Sequence, residues 1–186
     1  MKIYIAGRIH KDRSRFGIVD DIARNGDEYH KAEFVDFSFD GRKLTYTGPF
    51  TVGCDHACAH ACAHAYDHAV GPSCDRFFFD DDAPLEGHGM KDFLRYFVVE
   101  KSIAGIQAAD FVFAWFGDES EHAYGTIAEI GCARGMCKPI YIGCNPFDST
   151  DTWFAKTMAN KLIVADDAKS ALKIALDWHD KNPSKF

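Results

Sequence analysis

The sequence is short of positive charge: 21 Lys and Arg stand against 28 Asp and Glu among 186 residues, a formal net charge of −7. A chain so constituted has no basic stripe of the kind that neutralises a nucleic-acid backbone, which excludes a polymeric nucleic acid as partner. A small phosphorylated ligand, needing only one or two local cations, stays compatible. Long apolar runs are lacking as well. None approaches the roughly 18 to 20 residues needed to cross a bilayer, so no membrane association is expected. The opening segment MKIYIAG reads as a strand and has no basic stretch followed by an apolar one and a cleavage site, so the cytoplasm is the expected location. The seven cysteines are odd in number, and Cys132, Cys137 and Cys144 fall in what read as core elements. A disulfide framework is therefore not expected, and these are thiols or metal ligands. Neither a repeat nor a linker-like composition interrupts the chain, so residues 1–186 are expected to form one domain.

What is present is ample material for a core, 47% apolar residues with 14% aromatics, arranged as short β-rich runs alternating with longer helical patterns. Strands are predicted at Lys2 to Ala6, Glu33 to Phe39, Phe111 to Phe116, Pro139 to Gly143 and Leu162 to Ala165. Helices are predicted at Asp12 to Asn25, Lys91 to Ala109, Thr126 to Met136 and Asp166 to Asp180. The alternation predicts an α/β protein with a doubly wound, flavodoxin-like or Rossmann-like, five-stranded parallel sheet. In such sheets ligands bind beyond the carboxyl ends of the strands, where the connectivity reverses. The stretch from about residue 40 to 90 is too long for an ordinary connection and reads as an insertion shaping the site, with a Cys/His-rich helical segment inside it.

One carboxylate stands out. After the apolar run FVFAWF, Gly125 and Thr126 open a predicted helix with Glu129 in its first turn, and the small residues Gly131, Ala133 and Gly135 are expected to let that helix lie close to the sheet. Thr126-Ile127-Ala128-Glu129 satisfies the capping-box pattern, in which glutamate reaches back to the cap residue's N–H. The same position also suits catalysis, because a helix start after a sheet strand points its positive end into the ligand crevice. A carboxylate there is ready to attack an anomeric carbon, while nearby amides hold a phosphate or a sugar oxygen. The local pattern leaves both readings open.

Three segments in order, KIYIAG, GIQAADFVFAWF and YGTIAEIGCARGMCKPIYI, resemble the nucleoside 2-deoxyribosyltransferase superfamily, which includes nucleotide N-glycosidases. The resemblance covers roughly residues 1 to 10 and 100 to 145 and leaves the insertion out. It implies that Glu129 is the nucleophile, attacking C1′ to form a glycosyl-enzyme resolved by a second base or by water, and that Tyr4 orients it. It further implies that Gly7 and Arg8 approach the sugar or its 5′ group, Arg8 with the means to pair bidentately with a phosphate. Gly125 and Thr126 border the same pocket. Two positions depart from the family pattern: Ser102 stands where many members carry an aspartate, and Ala123 where many carry an acid. Glu121 and His122 are the substitutes available in the same loop, and His122 titrates in a range suited to protonating a leaving base. Asp110 is expected to close the start of its strand.

The function implied is cleavage or exchange of the N-glycosidic bond of a nucleoside or nucleotide. The resemblance puts nucleoside 2-deoxyribosyltransferase first, with a 5′-monophosphate N-glycosidase or a non-catalytic nucleotide sensor as alternatives. It also implies a homo-oligomer whose subunits complete one another's pockets. No cofactor is called for.

Cys54, His56, Cys58, His60, Cys62, His64 and His68 all occupy even positions. Cysteine and histidine are the ligands zinc prefers. Alanine-rich and closed by Gly71-Pro72, the segment is predicted to be helical, which stacks Cys58 and Cys62 on one face and His60, His64 and His68 on a distant one. A single tetrahedral site using both types does not fit that geometry. The pair His60 and His64, helped by Cys74, His88 or a carboxylate, is the arrangement that stays open to a metal; otherwise the cysteines pack inward and the histidines line the outer face or the substrate mouth.

Overall fold

Val, Ile, Phe and Tyr recur in the runs that become the main-sheet strands, and a Gly, Pro, Asn or Asp borders each of these runs at one end at least, so the chain's own chemistry helps mark where pairing starts or stops. A computed structural model describes residues 1–7, 16–19, 23–24, 34–49, 51–52, 99–117, 124–146 and 152–182. In chain order the strands are β1 (Lys2–Ala6), β2 (Ala23–Arg24), β3 (Val35–Phe39), β4 (Arg42–Tyr46), β5 (Thr51–Val52), β6 (Phe111–Phe116), β7 (Ile140–Cys144) and β8 (Lys161–Val164). The helices are α1 (99–108), α2 (Tyr124–Gly135), α3 (Trp153–Thr157) and α4 (Ala168–Lys181).

Six strands form the main sheet in the order β3-β4-β1-β6-β7-β8. From β4 to β8 every neighbouring pair is parallel, and β3 runs antiparallel to β4 at the edge. Leaving β3 aside, the chain visits the parallel strands in the 2-1-3-4-5 order of flavodoxin-like sheets, whose connectivity reverses between β1 and β6. The five-stranded, wholly parallel expectation is thus corrected to six strands with one antiparallel edge. The extra strand comes from Phe39-Asp40-Gly41-Arg42, where Asp40 and Gly41 have φ of 49° and 73° and join β3 to β4 in a two-residue hairpin. Asp-Gly is the pair that such a turn demands.

The first residues of the stretch expected as an insertion at about 40–90 form a sheet strand, and most of the rest lies outside the described residues. Thr51–Val52 pairs with Ala23–Arg24 in a separate two-stranded sheet. The Cys/His-rich segment, including His60 and His64, lies outside the described residues. The helix expected over Asp12 to Asn25 is interrupted among its described residues: Phe16 and Gly17 have φ of 56° and 63°, which no right-handed helix accommodates, and Ala23–Arg24 is extended. The short helix α3 was not foreseen.

Alternation along the strands divides the core in two. Ile3, Ile5, Phe111, Phe113, Tyr141 and Ile163 face α4, which buries Ala171, Leu172, Ala175 and Leu176 against them. Gly143 allows this approach, because a Cβ there would stand 2.6 Å from that of Ala171 and 2.8 Å from the Trp115 ring. Asp167 caps α4, accepting from the Ser170 N–H at 2.8 Å. On the opposite face Tyr4, Ala6, Val112, Ala114, Ile140 and Ile142 meet Ile106 of α1, Ile130 and Ala133 of α2, and Ala155 of α3. Asp110 closes the start of β1 and β6: its carboxylate accepts from the Lys2 N–H at 2.7 Å, and its own N–H donates to the Lys2 carbonyl at 2.8 Å. Arg42 ties the hairpin to the last turns of α4 by pairing with Asp177 and Asp180.

Candidate active site

Tyr4 occupies the middle of β1 on the face that α1 and α2 cover, and it is fully buried. A tyrosine hydroxyl in such a place needs a partner. It finds one 125 residues away: the hydroxyl donates to Oε1 of Glu129 at 2.7 Å, the short distance typical of a hydrogen bond to a charged oxygen. Burial is the chief cause that holds the Tyr4 hydroxyl well above the ordinary tyrosine pKa, reinforced by the negative charge of Glu129 and by the bond to it. A hydrogen bond with the Ser102 hydroxyl pulls in the other direction. Three residues from β1, α1 and α2 thereby meet, and Oε2 of Glu129 is shielded from solvent as well.

The capping-box expectation does not survive. Helix α2 starts at Tyr124, so Thr126 lies inside the first turn and Glu129 beyond it. Thr126 is buried within the helix, and the glutamate turns to Tyr4. The physical reason is the earlier helix start, which removes the N-cap geometry the box requires, together with a buried hydroxyl that has to be satisfied. A second correction concerns the small residues of α2. Gly131 and Gly135 are exposed, with nothing within 4 Å of a Cβ placed on either, so only Ala133 lies against the sheet. Close approach is instead the work of α1, where a Cβ on Gly105 would fall 2.2 Å from the Thr47 carbonyl oxygen and 3.2 Å from the Tyr4 ring.

The remaining expected site residues divide plainly. Gly7 follows β1 with φ of 146° and lies under the Phe16 ring, where a Cβ would stand 2.4 Å from Cζ. Gly125 is exposed with open space around it. Arg8, Glu121 and His122 lie outside the described residues, as do His60 and His64. Among the described residues no three His, Cys, Asp or Glu are grouped to hold a metal ion. Of the cysteines expected in the core, Cys144 is buried and Cys132 half-buried, but Cys137 is exposed in the turn after α2 with φ of 56°. Gly105 and Thr47, both packed beside Tyr4, were not singled out in the sequence. An isolated glycine inside a helical pattern was the available signal for the first; a threonine at a strand end carries none.

No helix among the described residues is long and apolar enough to cross a membrane. No known family profile and no curated protein matches the chain. Among solved structures the chain is similar to Clostridium botulinum CMP N-glycosidase, BcmB, with a TM-score of 0.35 and 17% identity over 65% of this chain and 92% of that one.

Proposed function

We propose that the protein cleaves or exchanges the N-glycosidic bond of a nucleoside or nucleotide, with Glu129 as the nucleophile. The observation that carries this reading is the hydrogen bond from the buried Tyr4 hydroxyl to Glu129. A half-buried carboxylate fixed at one oxygen has lost part of the freedom and hydration that blunt a nucleophile. It sits beside β1, at the strand where the sheet's connectivity reverses, and the sequence around both residues resembles the deoxyribosyltransferase pattern.

In the proposed reaction the Glu129 carboxylate forms a bond to C1′ as the C1′–N bond breaks, and the base departs with the electron pair and takes up a proton. The glycosyl ester is then opened by water, giving free sugar, or by the nitrogen of a second base, giving an exchanged nucleoside. Two displacements retain the configuration at C1′. Tyr4 holds the carboxylate in its attacking orientation and Ser102 borders the pair. Arg8, Gly7, Gly125 and Thr126 are proposed contacts of the sugar or its 5′ group, and His122 is the proposed proton donor to the base.

A panel of nucleosides and 5′-monophosphates, followed by chromatography for released base, tests the reading. Glu129→Gln is expected to lower base release on the order of a thousandfold or more. A variant that keeps wild-type activity would sink the mechanism. Added free base distinguishes the two outcomes, because only a transferase yields the exchanged nucleoside.

A further inference from the structure

Thr47 lies one residue beyond β4, in the strand that pairs with β1. The ladder continues through it: its N–H donates to the Ile3 carbonyl at 2.9 Å and the Ile5 N–H donates to the Gly48 carbonyl at 3.0 Å. Leu44 and Tyr46 belong to the core facing α4, so alternation turns Thr47 to the other face, in register beside Tyr4. The carbonyl of Thr47 is the group that Gly105 approaches so closely, and Thr47 itself is fully buried. Among the described residues its hydroxyl oxygen has no hydrogen-bond partner. Almost every buried hydroxyl is satisfied, and leaving one unmet costs stability that valine, of the same shape, would not. Departures of this kind concentrate where a fold serves a ligand.

We infer that the Thr47 hydroxyl is a ligand-binding group, completed by a hydroxyl of the pentose that the site takes. The position is right, at the carboxyl end of a strand beside β1 and on the Tyr4 face. The chemistry is right too, because a neutral hydroxyl that both donates and accepts suits another hydroxyl better than a phosphate or a cation. The hydroxyl is enclosed in the ligand-free protein, so the inference requires the wall beside it to open locally for the ligand. The inference deepens the proposed glycosidic function and rests on its assignment of a nucleoside or nucleotide as ligand.

The test compares wild type with Thr47→Val and Thr47→Ser, reading thermal unfolding alone and with ribonucleosides, their 2′-deoxy and 3′-deoxy analogues, and the 5′-monophosphates. Thr47→Val is expected to unfold no earlier than wild type when free, yet to bind the hydroxyl-bearing ligand at least tenfold more weakly. Thr47→Ser restores the affinity. The analogue that lacks the contacted hydroxyl binds wild type and Thr47→Val alike and so identifies the hydroxyl. Equal affinity of wild type and Thr47→Val for every ligand overturns the inference, as does a wild type that binds none of them. Because binding is read without turnover, weaker binding by Thr47→Val in a protein that releases no base upholds this site and defeats the glycosidic reading. Base release that depends on Glu129 but is indifferent to Thr47 does the reverse.

Discussion

At the scale of single residues the site is a problem of hydrogen-bond supply. Tyr4 is buried in the middle of the sheet, where its ring contributes apolar area but its hydroxyl must be met, and Glu129 is a carboxylate that half-burial separates from water. Each answers the other's need at 2.7 Å. A bond to a charged group contributes roughly 1.5–3 kcal/mol. If that energy is spent on holding the nucleophile, Tyr4→Phe lowers kcat about ten- to a hundredfold with little change in KM. A rise in KM at unchanged kcat would instead make Tyr4 part of the ligand's general binding. The sequence contained both residues, but their pairing was legible only through resemblance. No periodicity relates positions 4 and 129, and the local pattern around Glu129 left open a cap that the folded chain does not form.

At the scale of elements, three glycines separate what is spacing from what is sterics. Gly105 lets α1 lie against Thr47 and Tyr4, and Gly143 lets α4 lie on β7. Gly131, in the interior of α2, has open space where its Cβ would be. Gly105→Ala is therefore expected to cost about 1–3 kcal/mol through overpacking and to reduce activity, since α1 must move away from Tyr4. Gly131→Ala is expected to stabilise the protein by about 0.5–1 kcal/mol and to leave activity unchanged, because alanine is the better helix former and meets nothing. Urea titration beside an activity assay reads both, and a destabilised Gly131→Ala would contradict the placement of that face in solvent. The strands β1, β6, β7 and β8 were legible as short apolar runs bordered by turn residues, α4 by its apolar face, and α2 by the Gly-Thr pair near its start. The hairpin was legible too, in the Asp40-Gly41 pair, but the expectation of a large insertion concealed it. The expected helix over Asp12 to Asn25 went astray for a different reason: its pattern is compatible with a helix, whereas the backbone at Phe16 and Gly17 is left-handed.

At the scale of the whole molecule, buried titratable groups set how stability changes with pH. His179, on α4, lies 2.8 Å by its Nδ1 from the Tyr141 hydroxyl, and burial lowers its pKa from 6.5, with Asp180 and Asp110 opposing. An unfolded chain then takes up a proton near pH 6.5 that the folded one resists, so stability falls as pH drops below that value. Tyr4 behaves in the opposite sense. Its pKa is raised above 10.0, chiefly by burial, so above pH 10 the unfolded chain gives up a proton that the folded one keeps. Stability falls as pH rises through that range, by about 1.4 kcal/mol per pH unit for this group. Urea midpoints measured from pH 5 to 11 are expected to be highest between these limits. His179→Gln should flatten the acid side, and Tyr4→Phe should reduce the alkaline slope while leaving the part due to Tyr141, whose hydroxyl burial also pushes up; an unchanged acid slope in His179→Gln would remove that residue from the account.

The amino-acid sequence by itself determined the α/β class and most of the parallel strands, and it put Glu129 forward as the candidate carboxylate, because composition, apolar runs and local turn chemistry act over a few residues at a time. Only the tertiary structure decided that the Glu129 carboxylate turns to Tyr4 rather than to its own helix start. It alone decided that α1 rather than α2 makes the glycine-dependent contact, and that the hydroxyl of Thr47 is buried with no partner among the described residues. Those outcomes depend on which strands become neighbours and on how closely helices settle upon them. Such contacts join residues far apart in the chain, and no local pattern encodes them.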